Sequence, residues 1–284
     1  MRGNRLLGVG LVSLGAILWG GWAAVVRPSG LPPVQMTFVT MVVMALPLPL
    51  VLRGISLRDR RAVAALVGLG FADAGSTGLL FTALARGPVA VAELTHYLAP
   101  VLVTMAGPLL LGEPRSRRAW LAAPASFLGL GLLVWRPGGG DVLITAAIGA
   151  TSAVFYATYI LTAHVAVRTF PPRVLVPLHA IISGAVLLLL FGGAAIPPAG
   201  PGTLYAVAGS AVCGGLGTWV FFKGVHLVPS SVTGALAYLE PITAALIGWR
   251  LFGEGIDLRG LAGVALVLAS GVAMATERDG AAAH

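Results

Sequence analysis

The chain has 284 residues, of which 57% are hydrophobic and only 10% are charged, and its formal net charge is +8. Soluble globular domains contain about 25% charged residues, so this composition excludes an ordinary soluble domain. The basic residues lie mainly in short connections between continuous apolar stretches, which argues against a nucleic-acid-binding protein and against a β-barrel. The composition therefore predicts an all-α integral membrane protein.

Ten apolar stretches are long enough to cross a bilayer, at about 20 residues for each span. Their approximate limits are 6–26, 31–52, 62–85, 88–111, 119–135, 142–166, 174–196, 202–226, 229–252 and 259–276. The first stretch follows Arg2 and Arg5, as the apolar region of a signal peptide would. It continues to Val26, however, so we expect an uncleaved first helix.

The distribution of Lys and Arg predicts the orientation of these spans. With the N-terminus in the cytoplasm, 13 of the 18 basic residues fall on the cytoplasmic side and 5 on the outer side. Cytoplasmic connections of membrane proteins carry an excess of Lys and Arg. We therefore expect a multi-pass protein of the cytoplasmic (inner) membrane with both termini in the cytoplasm.

A pattern in the fourth predicted span returns in the ninth. Tyr97-Leu98-Ala99-Pro100 and Tyr238-Leu239-Glu240-Pro241 each precede an apolar run that ends in Gly-Glu, and corresponding residues lie 141 positions apart. The starts of the two halves match more weakly, because residues 15–23 align with residues 149–157 at an offset of 134. Duplication of a whole unit is typical of membrane transporters with a site between the two copies.

Five spans in each unit is an odd number, so the second unit must be inverted relative to the first. The charges of the connections agree with this inversion, because the connection after the second span carries four arginines and its equivalent after the seventh span is uncharged. The sequence therefore predicts ten transmembrane helices arranged as two inverted five-helix repeats, residues 1–140 and 141–284.

The paired blocks that end in Gly112-Glu113 and Gly253-Glu254, together with Trp19-Gly20 near the start, resemble the EamA family of the drug/metabolite transporter superfamily. The resemblance covers essentially the whole chain as two tandem units. It implies ten helices around a central cavity. It also implies export of amino acids, metabolites or drugs, often coupled to protons.

A charge inside a span costs at least about 2.5–3.5 kcal/mol on insertion scales, so ionisable side chains there need a reason, and four of them are candidates for a functional site. They are Asp73, Glu93, His96 and Glu240. Asp73 and Glu240 fall well inside the third and ninth spans, whereas Glu93 and His96 share one helix face with Tyr97 and Pro100. We interpret the four as a polar or proton-coupling site, and the alternative is that each is a structural group bonded to a neighbouring helix.

Six aromatic side chains lie inside the spans instead of at their ends, and they are candidates for binding a substrate by stacking or cation–π contact. They are Trp19, Trp22, Tyr97, Tyr156, Tyr159 and Tyr238. The alternative for these residues is ordinary packing.

Pro100 and Pro241 each remove a backbone hydrogen-bond donor inside a span and therefore predict a kink in the helix. The kink either serves packing alone or turns backbone carbonyl groups toward a cavity.

These observations favour a secondary transporter that exports a small metabolite, such as an amino acid or a drug, by alternating access with proton antiport. One alternative is an exchanger of phosphorylated metabolites or nucleotide sugars, but only Lys223 and Arg250 approach the membrane depth that such a cavity requires. Two further alternatives are a membrane-embedded enzyme that acts on lipid-linked substrates and a scaffold or channel.

The sequence contains no motif typical of ATP binding, zinc binding or covalent catalysis. We therefore expect no enzyme activity, no cofactor and no metal, and a monomer or homodimer in the lipid bilayer whose partners are its substrate and protons.

Overall fold

A computed structural model describes residues 2–51, 57–86, 92, 95–112, 117–134, 142–253 and 258–275. Throughout these ranges the chain forms helices and turns and has no strand. Seven stretches are long and apolar enough to cross a membrane, and three shorter apolar helices accompany them. The predicted all-helical class is confirmed for this part of the chain. The total of ten spans stays a prediction.

We number the helices in chain order. They are α1 (Arg2–Gly20), α2 (Trp22–Ser29), α3 (Pro33–Ala45), α4 (Leu48–Val51), α5 (Arg60–Arg86), α6 (Ala99–Leu110), α7 (Arg117–Val134), α8 (Val142–Ala166), α9 (Pro172–Phe191), α10 (Pro201–Gly209), α11 (Gly217–Val225), α12 (Ser230–Ala237), α13 (Leu239–Phe252) and α14 (Leu258–Ala275). A 3-10 turn, Gly192–Ala195, follows α9, and a π-helical segment, Ser210–Leu216, joins α10 to α11. Several predicted spans therefore consist of two helical pieces.

The helices pack in pairs that relate the two halves of the chain. Helix α1 packs along α11, and its counterpart α8 packs along α5, which is the counterpart of α11. Two further pairs join a helix to its own counterpart, α3 to α9 and α7 to α14, while α6 packs on α12, the helix just before its counterpart α13. For the first four pairs, exchanging the halves returns the same contacts, which is the pattern of two copies that meet about a two-fold axis.

Equivalent prolines begin one helix in each half. Helix α3 follows Pro32-Pro33 and helix α9 follows Pro171-Pro172, and in both cases the second proline is the first helical residue. The first N–H groups of a helix have no partner within it, so proline loses nothing there and its fixed φ favours the helical turn. When α3 and α9 are aligned on these prolines, equivalent residues lie 139 positions apart in the sequence.

Equivalent glycines follow the helices that carry the repeated Tyr-Leu-x-Pro blocks. Gly112 follows α6 and Gly253 ends α13, and each has a φ of +67°, in the left-handed region that favours glycine. This backbone conformation explains why glycine occupies the first position of each repeated Gly-Glu pair. Glu113 and Glu254 lie outside the described residues.

Helices α1 and α11 approach closely because glycines lie along their contact. A Cβ atom at Gly8 would lie 2.6 Å from the Cβ of Leu227, and one at Gly15 would lie 2.7 Å from the Cβ of Phe221. Lipid supplies no hydrophobic force between helices, so such small residues allow the close van der Waals contact that holds them together.

Gly15→Ala should lower the thermal stability of the purified protein, because the new methyl group would meet Phe221 and lie 3.0 Å from the carbonyl oxygen of Gly217. Overpacking costs about 1–3 kcal/mol, which outweighs the gain of up to about 1 kcal/mol from replacing a helical glycine by alanine. The control is Gly10→Ala in the same helix, where nothing lies within 4 Å of the added atom. Thermal unfolding in detergent measures both, and equal midpoints for the two variants would contradict this helix contact.

Candidate functional site

A cavity of about 70 Å³ lies between helices of both halves. Its walls come from α1, α2, α3, α5, α8, α11, α13, the π-helical segment and the short stretch before α6. Seven of the residues predicted from the sequence line it, namely Trp19, Trp22, Asp73, His96, Tyr156, Tyr159 and Glu240. The structure therefore brings together aromatic and ionisable side chains that are distant in the sequence.

Tyr97 and Tyr238, by contrast, are not among the described residues that line the cavity. Both are fully buried, their ring centroids are 5.8 Å apart, and the hydroxyl of Tyr238 donates a hydrogen bond of 3.0 Å to the carbonyl oxygen of Tyr97. These two residues are repeat equivalents. Since equivalent residues contact each other only near the axis that relates two copies, this contact marks where the halves meet.

The helices break beside the two prolines of the repeated blocks. Residues 97–98 form a turn before α6, whose second residue is Pro100. In the other half Tyr238 separates α12 from α13, three residues before Pro241. A proline ring crowds the carbonyl group four residues earlier, which accounts for an interruption at these points. Both prolines are buried, and their role in transport stays a prediction.

Asp73 is the middle residue of α5 and is 8% exposed. Its Oδ1 accepts a hydrogen bond of 3.0 Å from Thr77, and its Oδ2 lies 3.2 Å from Nε2 of His179 and 3.4 Å from Oγ of Ser183. The sequence analysis missed His179. The signal that could have found it is an ionisable residue deep inside the apolar helix α9, the same signal that identified Asp73.

His96 is held by a hydrogen-bond chain to α8 and α5. Its Nδ1 lies 2.9 Å from Oγ of Ser152, and Ser152 donates its only hydroxyl proton to the carbonyl oxygen of Ser76 at 2.7 Å. Because that proton is used, Nδ1 must donate to Ser152, and Nε2 is the ring nitrogen that can gain or lose a proton. The imidazole stacks on the ring of Tyr156 at a centroid distance of 4.8 Å. Glu93 lies outside the described residues.

Glu240 enters the cavity from the first turn of α13. The unsatisfied N–H groups and the dipole at the start of a helix favour a negative charge at this position. The hydroxyl of Tyr156 lies 3.4 Å from Oε2 of Glu240, at the long limit of a hydrogen bond. Tyr156 therefore connects Glu240 with His96, since its ring stacks on that imidazole.

The aromatic wall of the cavity centres on Trp19 and Trp22. Trp19 donates a hydrogen bond of 3.2 Å from its indole nitrogen to Thr218, and its ring centroid lies 6.4 Å from that of Tyr156 and 6.2 Å from that of Tyr159. Trp22 packs edge-on against Phe81 at 6.0 Å. These side chains present ring faces and edges, the surfaces that bind apolar and cationic groups.

The two halves contribute different chemistry at equivalent positions of the wall. At the offset of 141, Thr77 corresponds to Thr218 and Asp73 corresponds to Gly214, and all four residues line the cavity. The threonines are thus common to both halves, whereas the carboxylate is not. Among the described residues, no group of three or more His, Cys, Asp or Glu side chains could hold a metal ion.

Comparisons with known proteins agree with this architecture. The model of the EamA-like transporter family matches the chain twice, over residues 6–135 and 143–276. An uncharacterized transporter of Archaeoglobus fulgidus is 28% identical over 266 residues, which are 92% of this chain and 94% of that protein. The uncharacterized transporter YwfM of Bacillus subtilis is 28% identical over 197 residues, 67% of this chain and 66% of that protein.

One solved crystal structure has the same fold. Its TM-score is 0.75, and the alignment covers 93% of this chain and 95% of that chain at 22% sequence identity. At this level of identity the likeness concerns the fold alone.

Tyr238→Phe removes the buried hydroxyl group that donates to the carbonyl oxygen of Tyr97. We expect the free energy of unfolding to fall by about 0.5–1.5 kcal/mol, the net contribution of one hydrogen bond, which thermal unfolding in detergent measures. The control is Tyr205→Phe, because the Tyr205 hydroxyl donates to the carbonyl oxygen of Ala24 at 2.9 Å but the residue is 46% exposed and solvent can replace the bond. A greater loss of stability at Tyr205 than at Tyr238 would contradict this assignment of the axis contact.

Proposed function

The chain belongs to the EamA-like transporter family, and we propose that it is a secondary active transporter that exports a small metabolite, such as an amino acid or a drug. The observation that carries this proposal is the cavity between the two halves, lined by aromatic rings and two carboxylates. Transporters built from repeats bind their substrates at the interface of the repeats. The names of the relatives also indicate a transporter, which is consistent with a protein that is not an enzyme.

Family membership and the apolar helices make this a multi-pass membrane protein. We place it in the cytoplasmic membrane with both termini in the cytoplasm, as ten spans in two inverted repeats, residues 1–140 and 141–284. The two separate matches to the family model and the reciprocal pairing of helices support a duplicated unit. The excess of basic residues on one side supports the orientation.

The size of the cavity supports alternating access. Pockets that hold drug-sized ligands measure about 300–1,000 Å³, whereas this cavity of about 70 Å³ has room for a few water molecules. Binding of a metabolite therefore requires the walls to separate. A movement of one half against the other, about the axis marked by Tyr97 and Tyr238, would open the cavity to one side of the membrane at a time.

The chemistry of the walls favours a substrate with an amino group. Asp73 and Glu240 supply negative charge and the aromatic rings supply cation–π surfaces, while the described residues of the lining include no Lys or Arg. A phosphorylated metabolite would need such cations, so the alternative exchanger is disfavoured. We propose proton antiport as the coupling, with Glu240 and His96 among the groups that bind protons.

Trp22→Ala should weaken substrate binding, because the variant loses a ring that faces the cavity. A cation–π contact contributes about 0.5–2 kcal/mol, so we expect Kd to rise by about 2- to 30-fold. A thermal-shift screen of the purified protein against amino acids, nucleosides and cationic drugs identifies a ligand, and titration then gives Kd. Trp249→Ala is the matched control, since Trp249 is 54% exposed. Equal weakening by the two variants would exclude Trp22 from the site.

Glu240→Gln should abolish the acceleration of transport by a pH gradient, because the amide cannot bind the exchanged proton. Flux of labelled amino acids from proteoliposomes, with and without an imposed gradient, measures this effect. Thr243→Val, less than one turn further along α13, is the control, because among the described residues the Thr243 hydroxyl donates to the carbonyl oxygen of Leu239 in its own helix. Gradient-driven flux that persists in Glu240→Gln would remove this residue from the coupling.

A further inference from the structure

The side chains of Asp73 and His179 meet where α5 packs against α9, at the edge of the cavity. Oδ2 of Asp73 and Nε2 of His179 are 3.2 Å apart, and His179 is fully buried. The angle at Nε2 lies outside ordinary hydrogen-bond geometry, but attraction between opposite charges depends on distance far more than on angle. Whether this contact is attractive therefore depends on how many protons the two groups hold.

The surroundings of His179 determine where one of its protons lies. Nδ1 is 2.9 Å from the carbonyl oxygen of Leu175, which can only accept a hydrogen bond, so Nδ1 carries a proton. Nε2 then has either a lone pair or a second proton. Without a further proton, two electron-rich atoms, Nε2 and an ionised carboxylate oxygen, would lie 3.2 Å apart and repel each other even without a direct alignment. The short distance therefore favours a further proton on Nε2 or on the carboxyl group.

The surroundings of Asp73 favour the arrangement in which it is ionised. Thr77 donates to Oδ1 at 3.0 Å. Ser183 has a single proton, and the carbonyl oxygen of Gly70 at 2.7 Å takes it in preference to Oδ2 at 3.4 Å. Oδ2 therefore depends on His179 for compensation. One shared proton leaves the pair neutral, whereas no proton or two protons would leave a net charge buried among apolar helices.

We propose that Asp73 and His179 share one proton, and that this pair is a site from which a proton is released and to which it returns during transport. Asp73 lines the cavity. An ammonium group that enters the cavity beside Asp73 supplies the positive charge that the Nε2 proton supplies at rest. The proton then passes from Nε2 to the carboxylate of Asp73, the partly exposed member of the pair, and from there to water in the cavity, which leaves Asp73 ionised beside the ammonium group. One positive charge enters and one leaves, so the charge balances. This inference rests on the proposed proton-coupled transport.

Few other titratable groups face this pair. On α8, the ring of Tyr159 lies 6.1 Å from that of His179, while His164 contacts the carbonyl oxygen of Val228 instead. Glu240 and His96 share the cavity with Asp73. These two groups are the competing proton sites.

The remaining helices packed against the pair contribute no charge to it. Helix α3 contains no titratable residue. Helix α11 carries Lys223, which is exposed and lies with its ammonium group 4.2 Å from the ring centroid of Trp219. Within the described part of the chain, the charge next to Asp73 therefore comes from His179.

The other half of the chain offers a matched control. Aligned on their Pro-Pro starts, α3 places Thr40 where α9 places His179. The counterpart of Asp73 is Gly214, and a Cβ atom there would lie 2.9 Å from Cγ2 of Thr40. The same two helix positions thus meet in both halves, with an ion pair in one and uncharged groups in the other. Thr40→Val changes the equivalent contact in the other half, and although Thr40 also lines the cavity, it carries no titratable group.

The first test measures protonation directly. In lipid nanodiscs, nitrogen NMR of the protein labelled at histidine should show His179 as an imidazolium near neutral pH, assigned by its disappearance in His179→Gln. In Asp73→Asn the same signal should become that of a neutral ring protonated at Nδ1. Thr40→Val should leave it as in the wild type. An unchanged His179 signal in Asp73→Asn would overturn the shared proton.

The second test is flux of labelled amino acids from proteoliposomes. Asp73→Asn and His179→Gln should both lose the acceleration by a pH gradient, and Thr40→Val should keep it. Retained acceleration in both variants would overturn the coupling role. If His179→Gln does not fold, Asp73→Asn decides alone, because asparagine has the same shape and still accepts from Thr77. A wild-type protein without flux for any substrate would contradict the proposed function, while the NMR result would still decide whether the proton is shared.

Discussion

A carboxylate inside an apolar helix bundle needs a proton, a counter-charge or a set of hydrogen-bond donors, and this requirement organises the middle of the molecule. Asp73 meets it with His179 and Thr77, and Glu240 meets part of it with the first turn of α13 and the hydroxyl of Tyr156. Each solution ties helices from different parts of the chain to the same cavity. The polar groups that we propose for proton coupling are therefore also contacts between helices.

Around this centre the architecture is shared by both halves. The reciprocal pairing of α1 with α11 and of α8 with α5, and the contact between Tyr97 and Tyr238, follow from duplication of one unit. Glycines allow the close approach that such pairs need where lipid gives no hydrophobic drive. The helix packing is repeated in the two halves, whereas the ionisable side chains around the cavity are not.

The sequence alone predicts the helical class, the repeated blocks and seven of the residues that line the cavity, because composition, offset and intramembrane charge are all local properties of the chain. It could not predict that Tyr97 and Tyr238 face each other across the axis, since depth in a span does not define which way a side chain points. His179 carries the same signal as Asp73, an ionisable side chain inside an apolar span, but its pairing with Asp73 depends on the contact between α5 and α9, which the sequence does not show. The position of a helix break such as the one at Tyr238 depends on tertiary contacts, which the sequence does not show.

The difference between the halves bears on coupling. If the halves were chemically identical, exchanging their conformations would convert one access state into the other and leave every site in equivalent surroundings. A proton would then bind both states equally and could not bias them, since a ligand shifts an equilibrium only by its difference in affinity. Asp73 and His179 lie in one half, opposite Gly214 and Thr40 in the other. Exchange of conformations therefore changes the surroundings of the pair. In the proposed antiport a proton would bind the two access states with different affinities and shift their populations, while the gradient itself would supply the driving force.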